Sequence, residues 1–222
     1  MAAGSFASEN RTRLLIGSIV LAAVVGVVLW YVSGRGGNVE SLIESSSRAD
    51  RLTAIDKLRH RHNADSRQLL YRLTKDADLG VASTAVKALA EDKDEANLEF
   101  LTRLLGDESR RPEVCATAAE VYGKFKGHGA DYTVLTALLS AHKDHRVRAG
   151  AARGLFHLRE REAIAAVVNA LEDPHPRVRR EAIRAFYNQT TSRFGYDPDV
   201  PPGKQREVID KIRDLLRRAG VT

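Results

Sequence analysis

The sequence predicts an all-α fold, an α-solenoid of about five helical hairpins preceded by one N-terminal transmembrane helix. Three observations support this prediction. Residues 14–32 form one long apolar run without a charge. From about residue 48 onward, apolar residues recur with the spacing of helix faces. Within that region, one sequence pattern returns at intervals of 31 to 33 residues.

The apolar run at 14–32 is long enough to be a membrane anchor. As a helix it would measure about 28 Å, close to the hydrocarbon thickness of a bilayer. Trp30 and Tyr31 stand at its far end, where aromatic rings favour the headgroup level. We therefore expect an N-terminal tail at 1–13 and a single-pass transmembrane helix at 14–32. A cleaved signal peptide and a buried soluble helix are the alternatives.

Charges around the run predict its orientation. Arg11 and Arg13 precede it and only Arg35 follows closely, so the N-terminus is expected to be cytoplasmic and the solenoid non-cytoplasmic, which is periplasmic in a Gram-negative cell. Residues 33–47 are expected to be a flexible linker. Small residues spaced by four form one stripe of the anchor, which either allows a homodimer or arises by chance: Ser18, Ala22 and Gly26.

The region 48–219 is predicted to be the solenoid. Self-alignment divides it into repeats at about 48–76, 79–107, 111–143, 145–173 and 176–219. A small residue marks the centre of the first helix of each repeat: Ala54, Ala85, Ala118, Ala151 and Ala182. Small side chains are expected where helices approach closely. Aspartates in the turns are expected to cap the helices that follow: Asp76, Asp107, Asp144 and Asp173.

The fourth and fifth repeats carry a family signature. The segments 144–155 and 173–186 each have an aspartate turn, then Val-Arg, paired small residues and a large apolar residue. This pattern resembles the short HEAT repeats of the phycobilin-lyase type. The resemblance implies that Arg148 and Arg179 bind carbonyls or a turn aspartate of a neighbouring repeat, which is a structural role. Other residues replace this arginine in the second and third repeats: Ala82 and Cys115.

The C-terminal segment has a signature of its own. Gly195-Tyr196-Asp197-Pro198 precedes a final helix from about Gln205 to Arg218. The arrangement is similar to the capping segment of bacterial HEAT-repeat proteins, including planctomycete ones, although their terminal tryptophans are missing here. A basic last helix with a polar outer face would cover the end of the apolar core.

No sequence motif points to a reaction. The chain lacks the glycine-rich, nucleophile-elbow and zinc-helix motifs of common enzymes, and its one cysteine excludes an intramolecular disulfide. The most metal-like cluster is His142-Lys143-Asp144-His145, whose residues are also ordinary at a turn. Cys115 is expected to be a small buried side chain. We therefore expect no catalytic residue, cofactor or metal, and a protein that is not an enzyme.

Positive charge is concentrated in the C-terminal half. Residues 110–222 hold 21 basic and 14 acidic side chains, against a net charge of +6 for all 222 residues. Nine arginines crowd the fourth and fifth repeats: Arg146, Arg148, Arg153, Arg159, Arg161, Arg177, Arg179, Arg180 and Arg184. They form either a surface for an acidic protein partner or an ordinary solvated face, because glutamates are interleaved among them. Nucleic acid is disfavoured, since its binding would require interleaved aromatic residues or a stripe of basic residues without acidic neighbours.

The function predicted from these features is a membrane-tethered, non-catalytic scaffold that binds a protein or peptide in a groove. The groove is expected to be lined by the polar sides of the second helices. The candidate contact residues are Arg67, Arg72, Glu99, Arg103, Asn169 and Glu172. Two alternatives remain: a chromophore-lyase-like enzyme or accessory factor, implied only by the family resemblance, and a structural envelope protein.

Overall fold

The computed structural model describes residues 38–190 and 192–221. In these two ranges the chain is all-α, with eleven helices and no strand. Their bounds are α1 Val39–Ile43, α2 Arg48–Leu58, α3 Ala64–Leu73, α4 Leu79–Ala88, α5 Glu95–Gly106, α6 Pro112–Gly123, α7 Tyr132–Ala141, α8 His145–Leu158, α9 Ile164–Asn169, α10 Pro176–Gln189 and α11 Arg206–Arg218. The predicted all-α repeat solenoid is therefore confirmed for the described chain.

The predicted anchor at 14–32 and its stripe of small residues lie outside the described residues. Among the helices of 38–190 and 192–221, none combines the length and the apolar character needed to cross a membrane.

The chain divides into two compact units, one ending at Ala54 and the other running from Ile55 to Thr222. In the first unit, α1 lies inside the segment 33–47 that was predicted to be a flexible linker. Asn38 caps this helix through the backbone N–H of Glu40, and Val39 and Ile43 are buried one turn apart. Two apolar residues at i and i+4 are too few to register as periodicity, which is why the sequence did not predict α1.

The second unit is built from first helices α4, α6, α8 and α10, each packed on the next. The second helices α3, α5, α7 and α9 pack against these first helices, and α11 packs against α9. Burial follows the repeat pattern, because the central alanines of the five first helices are all completely buried: Ala54, Ala85, Ala118, Ala151 and Ala182.

The closest approach joins α6 and α8, where glycine is required. A Cβ atom on Gly154 would lie 2.3 Å from the carbonyl oxygen of Ala119, and one on Gly150 would lie 2.3 Å from that of Ala116. A Cβ on Gly123 would lie 2.1 Å from the carbonyl oxygen of Gly154. These backbones are in direct contact, so only hydrogen fits between them.

The predicted N-caps are correct at one turn of four. Asp144 caps α8 through the N–H of Arg146. The other three aspartates also accept the N–H of the residue two positions later, but that residue precedes the helix. They therefore shape the turn and do not cap the helix: Asp76, Asp107 and Asp173. The cause is a shift of the helix start, since α4, α6 and α10 begin three or more residues after the aspartate.

Other residues cap these later helix starts. Asp78 caps α4 through its carboxylate, and His175 caps α10 by accepting the N–H of Arg177 at Nδ1, at 3.1 Å. The first turn of α6 has no side-chain cap, but Pro112 begins it, and a proline there has no N–H to satisfy.

Arginine side chains join the turns of successive repeats. Arg148 donates to the carbonyls of His142 and Lys143 at 2.8 and 3.1 Å and forms a two-point ion pair with Asp173. Arg179 is buried and donates to the carbonyls of Asp173 and Pro174 in the same way. Both arginines therefore bind the carbonyls of the turn before their own helix, and Arg148 also binds the aspartate of the next turn.

In the second repeat, where Ala82 replaces this arginine, a different arginine binds the carbonyls of the turn. The guanidinium of Arg111 donates to the carbonyls of Asp76 and Ala77. These carbonyls lie six and five residues before Ala82, as those of His142 and Lys143 do before Arg148. The turn of the second repeat is thus bound by an arginine that belongs to the third repeat.

The C-terminal segment is fastened to the last repeats. The hydroxyl of Tyr196 donates to the carbonyl of Leu171 at 2.6 Å, and burial raises the pKa of this phenol to about 12. The carboxamide of Gln205 bonds the backbone of Asp197 on both sides, as donor and as acceptor. Helix α11 buries Ile209, Ile212 and Leu216 against the preceding repeat.

Candidate partner-binding surface

The second helices α3, α5, α7 and α9 present the surface on which the sequence placed a binding groove. Between α3 and α5 the space is filled by stacked rings of Tyr71 and Phe100, with centroids 3.9 Å apart. The Tyr71 hydroxyl donates to Asn97, which is itself buried and bonded to the backbone. Burial raises the pKa of Tyr71. These two helices therefore leave no groove between them at the stack.

A groove of about 410 Å³, here called groove A, lies between α5 and α7. Its walls carry small or aliphatic side chains, among them Leu105, Val134, Ala137, Leu138 and Ala141. No aromatic ring fills the space as Phe100 does one repeat earlier. The groove exists because residues facing the gap are too short to close it.

A second groove of about 320 Å³, here called groove B, lies between α7 and α9. Leu139 and Ala166 contribute its apolar wall, while Asn169 and Glu172 stand at its polar edge. Glu172 is held in place by an ion pair with Arg213 of α11. Grooves A and B flank α7 on its two sides.

The helix α7 itself is uncharged, although 29% of the chain is charged. The charged side chains that line the grooves beside it come from the flanking turns and are acidic: Glu108 at groove A, and Glu172 and Asp173 at groove B. Neither α7 nor α9 contains a charged residue. The outward positions of α7 are exposed and carry short neutral side chains: Thr133, Ala137, Ser140 and Ala141. A solvent-facing helix without charge is the feature that the sequence reasoning missed, and the missing charges in Tyr132–Ala141 are the signal that could have revealed it.

The predicted contact residues do not form one cluster. Asn169 and Glu172 lie together at groove B. Glu99 and Arg103 are exposed on α5, one turn apart, with their charged groups 3.8 Å from each other. Arg72 is on the exposed side of α3.

Arg67 serves a different purpose. Its guanidinium lies 3.2 Å from the carboxylates of both Asp92 and Asp94, and only 19% of its side chain is exposed. It therefore ties α3 to the turn before α5.

Most of the arginines in the fourth and fifth repeats bond within the described chain, five of them to carboxylates: Arg146, Arg148, Arg153, Arg180 and Arg184. Eight of the nine arginines donate to carboxylates or backbone carbonyls of the described chain. Arg153, for example, bonds Glu120 at 2.8 Å and lies 3.7 Å from Glu181. Such pairing favours the interpretation of an ordinary, internally paired face over a surface for an acidic partner.

The remaining chemical candidates take part in local structure. In the His142–His145 cluster, His142 accepts the N–H of Asp144, whose pKa is lowered chiefly by its hydrogen bond to Arg146. The ring of His145 stacks on that of His175 at 3.6 Å. Cys115 is buried, and burial raises the pKa of its thiol. Within the described ranges, no three His, Cys, Asp or Glu side chains are arranged to hold a metal ion.

The architecture is that of a helical repeat protein, and comparison defines the family. A family model described as HEAT repeats matches residues 38–128 and 132–218. The chain therefore belongs to the HEAT-repeat family. No curated protein matches it significantly.

One solved structure shows a similar fold. The complex of CpcE and CpcF of phycocyanin lyase from Nostoc sp. PCC7120 aligns with a TM-score of 0.50 and 19% identity over 69% of this chain. The alignment spans 64% of that neighbour's length. An engineered protein aligns with a TM-score of 0.44 and 24% identity, over 68% of this chain and 77% of its own.

Proposed function

We propose that this protein is a non-catalytic scaffold, tethered to a membrane, whose second-helix surface binds a protein or peptide. The observation that supports the proposal best is the uncharged exposed helix α7 between grooves A and B. Solvent-facing helices normally carry charge, and an uncharged apolar-lined surface is instead typical of the centre of an interface. The family supports the same proposal, because repeat proteins use such extended surfaces for binding.

The chemistry of the surface defines the partner. Small apolar walls at Ala137, Leu138 and Ala166 suit aliphatic side chains of a partner segment that is itself low in charge. An acidic segment would lose hydration at α7 without finding an opposite charge, because the charged residues that line the grooves are themselves acidic. We therefore propose a neutral, aliphatic segment rather than an acidic one, with Asn169 and Glu172 contacting its polar groups.

The charged residues on α5 are proposed to form a second polar edge of the binding surface, in addition to Asn169 and Glu172. Glu99 and Arg103 are exposed on α5, the helix that forms one wall of groove A, and pair with each other across one helical turn. Exposed pairs of this kind contribute little to stability, so they are available to bond a partner at the rim. Arg67 is proposed to support the turn before α5 without touching the partner.

The proposal places the anchor at 14–32 in the bilayer and the solenoid on the non-cytoplasmic side, from the charges Arg11, Arg13 and Arg35. Pairing of two anchors through Ser18, Ala22 and Gly26 would present two copies of the surface. Protease added to spheroplasts of a Gram-negative host producing the full chain tests the orientation. Digestion of the solenoid supports the proposal, and complete protection contradicts it.

Cross-linking in native membranes, followed by purification and identification of the partner, tests the binding surface. The purified partner is then titrated against the full chain and two variants. Ala137→Arg introduces a charge into groove A at an exposed position, and Thr84→Arg introduces the same charge on the first helix α4. We expect a loss of affinity of at least about tenfold for the groove variant alone. Equal affinity of both variants would place the partner elsewhere.

A chromophore-lyase-like activity is the competing function. Its support is the likeness to the phycocyanin lyase structure, which at 19% identity concerns the fold alone. Incubation of the full chain with a bilin and a thiol-bearing acceptor protein, followed by absorbance, measures this activity. Turnover would replace the scaffold proposal with an enzymatic one.

A further inference from the structure

A third cavity lies at the C-terminal end of the repeat stack and shares no residue with grooves A and B. Its volume is about 310 Å³, and it is formed between the end of α8, the end of α10 and α11. One part of its wall is polar, with Arg159, Arg161 and Gln189, and another part is aliphatic, with Ile164, Leu216 and Val221. We call it the C-terminal cavity.

The polar wall of the C-terminal cavity carries several hydrogen-bond donors and no acidic side chain. Arg159 donates to the carbonyl of Asn188 at 3.3 Å, and Arg161 donates to the carbonyl of Ala219 at 2.5 Å. Each guanidinium has five N–H groups, so most of its donors stay available after these bonds. Since none of the lining residues is acidic, two positive charges face the cavity without a carboxylate on its wall.

Gln189 adds an unsatisfied donor. Its Nε2 atom is buried and has no hydrogen-bond partner in the described chain. A buried amide without an acceptor is unfavourable and uncommon in folded proteins. This Nε2 donor therefore remains for an acceptor that enters the cavity.

The backbone at Arg159 adopts a conformation that is unfavourable for a residue with a side chain. This residue ends α8 with φ 57° and ψ 39°, the left-handed region. Glycine is the usual residue at such a helix end, because a side chain is disfavoured there. Strained residues of this kind concentrate at ligand sites, and here the strain puts an arginine at the cavity wall.

From these four observations we infer that the C-terminal cavity binds an aliphatic carboxylate. The carboxylate accepts hydrogen bonds from Arg159, Arg161 and Gln189, since a guanidinium matches the two oxygens of that group. A short branched hydrocarbon then lies against Ile164, Leu216 and Val221. The cavity volume is at the lower end for small-molecule sites, which limits the ligand to a few carbon atoms.

Titration of the full chain by NMR or calorimetry tests this inference with 3-methylbutanoate, its neutral amide and inorganic phosphate. We expect saturable binding of the carboxylate and at least about tenfold weaker binding of the other two. Equal binding of the amide would show an apolar cavity only, and equal binding of phosphate would show unspecific anion attraction. Either result overturns the inference.

The carboxylate could belong to a small acid or to the end of a peptide chain. A tetrapeptide ending in valine is therefore titrated with a free and with an amidated C-terminus. Tighter binding of the free tetrapeptide than of 3-methylbutanoate assigns the site to chain ends, and weaker binding assigns it to small acids.

Variants separate ligand binding from a structural role of the arginines. Arg161→Gln is expected to weaken carboxylate binding at least about tenfold, while Arg177→Gln, exposed and outside the cavity, leaves it unchanged. Arg159→Gly is expected to weaken binding and also to raise Tm by about 2–4 °C, because glycine relieves the positive φ. A lower Tm for Arg159→Gly together with unaltered binding by Arg161→Gln would make both arginines structural. Neither result depends on grooves A and B.

Discussion

The contact between α6 and α8 can be tested with one methyl group at Gly150. Its Cβ in Gly150→Ala would lie 2.3 Å from the carbonyl oxygen of Ala116, and 2.7 and 2.8 Å from the Cα and carbonyl carbon of that residue. All three are backbone atoms, so no side chain can rotate away. The helices would have to separate by about 1 Å to restore an ordinary contact.

Two effects of opposite sign determine the outcome. Alanine is favoured over glycine within a helix by about 1 kcal/mol. Overpacking that shifts backbone typically costs about 1–3 kcal/mol, and a gap of about 1 Å weakens the neighbouring van der Waals contacts by up to half. Because the shift affects the whole length of the most closely packed helix pair, we expect Gly150→Ala to lower the free energy of unfolding by about 2 kcal/mol net.

Gly106→Ala provides the matched control. Gly106 is also helical, as the last residue of α5, and a Cβ there meets no atom within 4 Å. The same exchange should therefore be neutral or stabilise by up to about 1 kcal/mol. Chemical unfolding of the full chain, followed by far-UV circular dichroism, gives both values. Equal stability of the two variants would refute the close packing of α6 on α8.

Three further predictions concern the links between repeats. Arg111→Met should lower the free energy of unfolding by about 1–3 kcal/mol, because the carbonyls of Asp76 and Ala77 lose their donor; chemical unfolding measures this, and no change would contradict the role of Arg111. Burial and the neighbouring His145 lower the pKa of His175, so its stabilisation should be complete above about pH 6.5 and decline as pH falls below that value. Comparing unfolding at neutral and acidic pH should show a smaller decline in His175→Asp, which keeps an acceptor for the cap; an identical decline would contradict this. Tyr196→Phe should cost about 1 kcal/mol through the lost bond to Leu171, and ultraviolet titration should lose one tyrosine that ionises near pH 12.

The repeat architecture could be predicted because it is a local property repeated along the chain. Apolar spacing defines one face of each helix, and a small residue such as Ala151 recurs where neighbouring helices cross. Each hairpin repeats the same pattern, so periodicity alone was sufficient to predict an all-α repeat solenoid. The short helix α1 was not predicted, because its two buried apolar residues, Val39 and Ile43, are too few to form a periodic pattern.

Helix starts were predicted less well, because the turns differ in length. The aspartate pattern indicates where a turn lies, but a cap requires a particular backbone position relative to the first helical N–H. Only Asp144 occupies that position among the four predicted caps, while at α10 the cap passes to His175. The sequence shows where the acidic residue lies, but it does not show how many residues separate that residue from the first helical N–H.

The candidate surface depended still more on the tertiary structure. By itself, the sequence determined the fold class, the repeat period and the face of each helix that is buried, because these follow from the order of residues within one helix. Only the packing of separate helices decided that Phe100 fills one gap while Ala137 and Ala166 leave two open. It also decided that Arg111 replaces an arginine missing from another repeat. Such contacts join residues about 25 to 35 positions apart, and spacing within one helix carries no information about how those side chains meet.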